Sequence, residues 1–173
     1  GLFSVITGTN VFAHIDDWDS LVKGVVKLLD SKKGVFIIES PHFLHLLKSL
    51  EYDTIYHEHL NYISIEPLVP FFDKYNMEII KIEQKDIHGG SIRIFVSKKG
   101  NYKIEESVAE VLYDEKLYGI RSRSVLDDFA IKVKQNRDEI IDLIYKLKKS
   151  GKRVVCISAP AKGMTLLNYC SLG

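Results

Sequence analysis

Cysteine is scarce in this chain: two residues in 173, Cys156 and Cys170. Two are too few for a disulfide framework, and their spacing is not that of a metal-ligand pair. They fit a reducing compartment, so a cytoplasmic location is expected. An excess of charge of one sign is also lacking, since 24 basic and 23 acidic side chains leave a net charge of +1. Bulk charge therefore gives no reason to expect a nucleic-acid or membrane partner. No apolar run approaches the length of a membrane span. No basic stretch precedes the first apolar run, as it would in a signal peptide. The sequence has no G-x-G-x-x-G, no G-x-x-x-x-G-K-[ST] and no H-E-x-x-H, which removes the simplest nucleotide-loop and zinc-protease readings. It also has no internal repeat and no low-complexity linker.

What is present is ordinary globular material, 46% hydrophobic and 27% charged. The length suits one domain or two small ones with a sizeable core. "LFSVIT", Leu2 to Thr7, predicts a buried parallel strand, and "GTN" a loop at its carboxyl end. Asp16 or Asp17 can cap a helix carrying Leu21, Val22, Val25, Val26, Leu28 and Leu29 at helical spacing. "VFIIES", Val35 to Ser40, is a second buried strand, stopped by Pro41. Strand, helix and strand make a βαβ unit and hence an α/β fold with a parallel sheet.

"SIEPLVPFFDKYN" predicts a helix with Ser64 at the N-cap and Pro67 in its first turn. "MEIIKIEQKDI" and "SIRIFVSKK", separated by "HGG", predict an antiparallel pair at the sheet edge. Helical patterns run from Tyr102 to Tyr118 and from Val125 to Lys149. "GKRVVCISAPAKGMTLLNYC" then predicts strand, tight turn and helix, the start of a further unit. A boundary is expected near Gly100. Both ends read as cut from a longer sheet, because the chain starts at Gly1 within a strand and stops after one strand and helix.

The densest chemistry lies in "YDTIYHEHLNYIS", Tyr52 to Ser64, which holds two of the six histidines. If this segment is extended, His57 and His59 share one face and Tyr56 and Glu58 the other. H-x-H can present two imidazoles to a metal, but no spacing singles out a third ligand among His14, His42, His45 and His88. Acid/base chemistry is the better reading. The segment leaves the carboxyl end of a parallel sheet, where open α/β folds bind ligands. Asn10 and His14, just past the other strand end, can converge on the same rim. In "DIHGGSIRIF" the glycines predict a tight turn or a close backbone approach. Arg93 beside them can pair with phosphate or carboxylate, or simply form a surface ion pair. "SAPAKGMTLLNYC" opens a helix after small residues, a geometry that suits an anion, and Lys162 adds charge there.

Taken in order, "NVFAHIDDW", "GVFIIESPHF", "YDTIYHEHLNYIS", "DIHGGSIRIFV" and "SAPAKGMTLLNYC" resemble the S-adenosylmethionine-dependent sugar C-methyltransferases. These enzymes methylate C3 of a nucleotide-linked 4-keto-deoxysugar. The resemblance spans nearly the whole chain and is carried by Y-x-E-H and H-G-G-[SE]-x-R in their mutual spacing. It implies a complete enzyme of three parts: a zinc-binding module, a Rossmann-like methyltransferase domain and a C-terminal α/β domain. Residues 1–100 would be the C-terminal half of the second part. Residues 101–173 would be the helical segment and first strand and helix of the third. Zinc and the glycine-rich cofactor loop would lie outside this chain.

The resemblance further implies that His59 is the general base, with Tyr56, Glu58 and His14 beside it. Asn10, His88, Gly89, Gly90, Arg93 and Lys162 would lie on the side of the nucleotide-sugar substrate. His57 matches no role. A 4-ketone acidifies its neighbouring C–H, so a base and a donor to the enolate oxygen are what the chemistry requires. The competing readings are a metal-dependent hydrolase or lyase using His-Glu-His, and a non-catalytic remnant that kept the fold.

Overall fold

The computed structural model describes residues 1–86, 89–157 and 160–172. Four strands form one sheet: β1 (Val5–Thr9), β2 (Val35–Pro41), β3 (Met77–Lys85) and β4 (Ser91–Lys98), in the order β1-β2-β4-β3. β1 and β2 are parallel, and α1 (Trp18–Leu28) connects them. β3 and β4 form the expected antiparallel pair. β4, however, inserts between β3 and β2, antiparallel to both. Of that pair only β3 is therefore at an edge, β1 being the other edge strand, and the architecture is a mixed α/β sheet.

Why these segments fold as they do is local at first. Asp17 accepts a hydrogen bond from the Ser20 amide at 2.8 Å and caps α1, whose Val22 and Val25 face inward. Along β2, Phe36 and Ile38 point to the packed face, and along β4 Ile92, Ile94 and Val96 do the same. Val22 and Val25 of α1 share that core with Ile65, Leu68 and Phe72 of α3 (Ile65–Asp73) and Val108 and Val111 of α4 (Glu106–Tyr118). Packing therefore continues through α4 without a break at Gly100. On the other face Glu39, Arg93 and Glu83 lie side by side in register across β2, β4 and β3, next to the apolar pair Ile37 and Phe95.

A second cluster joins Leu44, Leu46 and Leu47 of α2 (Phe43–Ser49) to Ile120 and the start of α5 (Arg123–Lys149). α5 has no buried residue, and neither does α6 (Ala161–Tyr169). Among the described residues no helix is long and apolar enough to cross a membrane.

Three expectations need correction. The first strand begins at Val5, not Leu2, and is not buried; Leu2, Phe3 and Val5 are all exposed, because β1 pairs on one side only. Lys152 to Ile157 form no strand, since no described strand pairs with them, and Ile157 is 92% exposed. Ser64 occupies the N-cap of α3, but its side chain makes no capping bond. The carboxylate of Glu115 on α4 accepts from the Ile65 and Glu66 amides instead, at 2.7 and 3.0 Å.

Candidate active site

At the carboxyl ends of β1 and β2 lies a cavity of about 210 Å³. Two loops build it. Asn10 leaves β1 with φ +54°, a left-handed turn that asparagine tolerates better than most residues. Its amide is tied to the Glu39 carbonyl at 2.8 Å. The chain then makes a single 3-10 turn, Phe12–His14, with Phe12 in the core. The second loop is stitched to the first: the Leu60 and Asn61 amides donate to the Ala13 carbonyl, and Asn61 Nδ2 donates to the Ile15 carbonyl at 2.8 Å.

These ties bring Asn10, His14, Tyr56 and His59 into the lining of one cavity, which Lys162 also lines. His59 Nδ1 lies 2.7 Å from the Thr54 carbonyl oxygen, which can only accept. The proton is therefore on Nδ1, leaving the Nε2 lone pair to accept from the Tyr56 hydroxyl at 3.1 Å. His14 Nδ1 likewise donates, at 2.8 Å, to the Glu58 carbonyl. The two imidazole rings are 5.0 Å apart. Burial, and then the Glu58 charge, push the Tyr56 hydroxyl above its usual range, which keeps it protonated as a donor. Lys162 arrives by the docking of α6: the Tyr169 ring stacks edgewise on Tyr52, and its carbonyl accepts from Arg137 on α5.

The remaining predicted residues are placed differently. Tyr56 to Glu58 form a turn rather than a strand, so His57 and His59 do not share a face. His57 and the Glu58 side chain are exposed and outside the lining. Glu58 enters the site through its backbone oxygen. Gly89 and Gly90 sit at φ +82° and +118°, and a Cβ on either would overlap the Glu51 carboxylate or the His45 ring. They permit a close approach behind the cavity wall, where the Gly90 carbonyl accepts from the His42 amide. His88 lies outside the described residues. Arg93 is on the opposite sheet face, held by Glu39 at 2.6 Å and Glu83 at 3.6 Å, so the ion-pair alternative describes it. Among the described residues no group of three His, Cys, Asp or Glu side chains is placed to hold a metal.

One pair was not anticipated. His42, at the end of β2, also lines the cavity, and its Nε2 meets Glu115 Oε1 at 2.8 Å. Both side chains are 1% exposed. The available signal was a glutamate on the same helical stripe as Val108 and Val111, since a carboxylate on a buried stripe requires partners.

A parallel strand pair that ends in a cavity of imidazoles, a tyrosine and a lysine defines a candidate acid/base site in an α/β protein. The model of the C-methyltransferase C-terminal domain family matches residues 86–173, just over half of the chain, and the chain belongs to that family. It is also 34% identical, over 174 aligned positions, to the C-methyltransferase NovU of Streptomyces niveus. That alignment takes in 100% of this chain and 41% of NovU, so the chain spans about two fifths of the length of this curated relative.

Proposed function

We propose that the chain forms the acceptor side of an S-adenosylmethionine-dependent C-methyltransferase acting on a nucleotide-linked 4-keto-deoxysugar, with His59 as the general base. The observation that carries this reading is the state of the His59 ring. Its Nδ1–H is held by the Thr54 carbonyl, and its Nε2 lone pair faces a tyrosine hydroxyl inside the cavity. A ketone entering there separates the pair. Nε2 then takes the proton from the carbon next to the ketone, and the Tyr56 hydroxyl turns to the oxygen on which negative charge develops. The Thr54 carbonyl stabilises the imidazolium that forms. His14 supplies a second imidazole 5.0 Å away.

The cavity is smaller than the roughly 300–1,000 Å³ of whole-ligand pockets. It suits a single sugar ring, with Lys162 on its rim toward the diphosphate. A cation on the rim fits an anionic acceptor better than a sulfonium, so the cofactor site is not assigned to these residues. The cofactor supplies the methyl group as an electrophile. We assign its Rossmann-like binding half, and a zinc module, to the part of a NovU-like protein outside the match. In this reading residues 1–100 belong to the methyltransferase domain and 101–173 begin the substrate-binding domain, with α4 packed back on the sheet. A cytoplasmic deoxysugar pathway is the setting proposed.

In the full-length protein, His59→Ala lowers turnover of a nucleotide 4-keto-sugar by about 100- to 10,000-fold, the usual worth of a placed base. Circular dichroism checks that the fold is kept. Wild-type turnover in this variant would remove His59 from the role.

A further inference from the structure

We propose that His42 is a substrate-binding residue whose Nδ1 accepts a hydrogen bond from a hydroxyl of the bound acceptor, and that Glu115 is the positioning residue that fixes it in this state. The inference rests on the reading that the cavity takes a sugar.

Glu115 uses both carboxylate oxygens as acceptors. Oε1 takes the Ile65 amide at 2.7 Å and Oε2 the Glu66 amide at 3.0 Å, and backbone N–H groups can only donate. His42 Nε2, 2.8 Å from the same Oε1, is therefore the protonated nitrogen. That leaves Nδ1 bare, as an outer carboxylate does for an imidazole ligand. Buried polar atoms are nearly always paired, yet His42 Nδ1 has no partner among the described residues. Asn10 Oδ1 is in the same condition. Both residues line the one cavity that also holds Tyr56 and His59. Two cavity-lining residues with unpaired acceptors suit a ligand that brings donors of its own, as a hydroxylated ring does and an apolar ligand does not. A purely structural bolt between α4, α3 and the end of β2 would need only the Nε2 edge. The chain distance explains why no local pattern shows the pair: 73 residues separate its members.

The test reads the histidine ring nitrogens of the protein by 15N NMR, free and with a nucleoside-diphosphate 4-keto-6-deoxyhexose. The nucleoside diphosphate alone is the control. In the free protein, His42 Nε2 is expected to resonate as a protonated nitrogen and Nδ1 as an unprotonated one. The reverse, or two protonated nitrogens, overturns the inference. The sugar probe, but not the control, is expected to shift His42 Nδ1 toward the protonated range, together with a change at His59. A change at His59 without one at His42 overturns this inference and leaves the proposed function standing. Silence at both overturns both.

Two variants add an affinity readout. His42→Phe keeps a ring but removes the acceptor, and is expected to weaken probe binding by about 3- to 10-fold, the worth of one hydrogen bond. His42→Gln, which restores a carbonyl acceptor, recovers part of that loss. In Glu115→Gln the ligand-induced shift at His42 Nδ1 shrinks, because an amide cannot accept from all three donors. Unchanged affinity in a folded His42→Phe protein overturns the inference.

Discussion

The sheet with α1, α3 and α4 and the helical arm of α5 and α6 are built on different terms. In the first, Ile38, Ile92, Ile94 and Phe72 are wholly buried, and three helices share one continuous core with the strands. In the second, neither helix has a buried residue, and Ile131, Leu143 and Tyr145 of α5 are exposed. The difference divides the cavity's wall. Asn10, His14, His42, Tyr56 and His59 stand on loops anchored to the core, whereas Lys162 comes from the arm. Reacting groups need fixed geometry. A lysine with the proposed role of attracting an anion tolerates a looser mount.

Core substitutions should break this comparison most sharply. Phe72→Ala should cost about 3–5 kcal/mol, whereas Leu143→Ala on α5 should stay within roughly 0.5 kcal/mol. Urea unfolding of both variants checks this, and equal losses would show that the arm carries core-like packing. A smaller effect belongs to the seam. The Tyr52 hydroxyl donates to Asn136 of α5 at 2.9 Å, and its ring meets Tyr169 of α6. Tyr52→Phe should cost about 0.5–1.5 kcal/mol. Hydrogen exchange should quicken in α5 and α6 and not in β2 or β4.

The smallest effect is sited at α2. Burial holds the His45 imidazole below its ordinary value of 6.5. The unfolded chain therefore binds this proton more tightly than the folded one. Its contribution to stability is present above about pH 6.5 and is lost as the pH falls through the depressed folded value. Urea midpoints between about pH 7.5 and about 5.5 should fall less in His45→Gln than in wild type.

Local chemistry made much of the sheet half legible. Asp17 caps α1 as the capping pattern predicts, β1 and β2 are parallel, and the two β-rich runs around Gly89 and Gly90 pair antiparallel. Strand order was not legible, because periodicity says which face a residue takes and not which strand lies beside it. β4 slips between β2 and β3 with the same alternation an edge strand would show. The apolar pattern predicts a buried strand at Leu2–Thr7 and a strand within Lys152–Ile157 for the same reason, since it cannot say whether a neighbour covers or pairs with them. In the cavity, Asn10, His14, Tyr56 and His59 could be gathered from their positions beyond strand ends, whereas Lys162 follows no described strand and is pointed to by the family resemblance. Arg93 could not be placed, because its face depends on register with Glu39 and Glu83. The His42–Glu115 pair depends on α4 folding back across the sheet, a long-range contact whose one local sign is the carboxylate on the Val108 and Val111 stripe.

Proton removal at the ketone can be measured apart from methyl transfer. The full-length protein is incubated with a nucleotide 4-keto-deoxysugar in deuterated water without methyl donor, and deuterium at the carbon beside the ketone is followed by NMR. With His59 as the base, the wild-type protein exchanges that position. His59→Gln, which is close in size and cannot take a proton, should slow exchange by about 100-fold or more. Exchange at the wild-type rate in His59→Gln would contradict the assignment of the base.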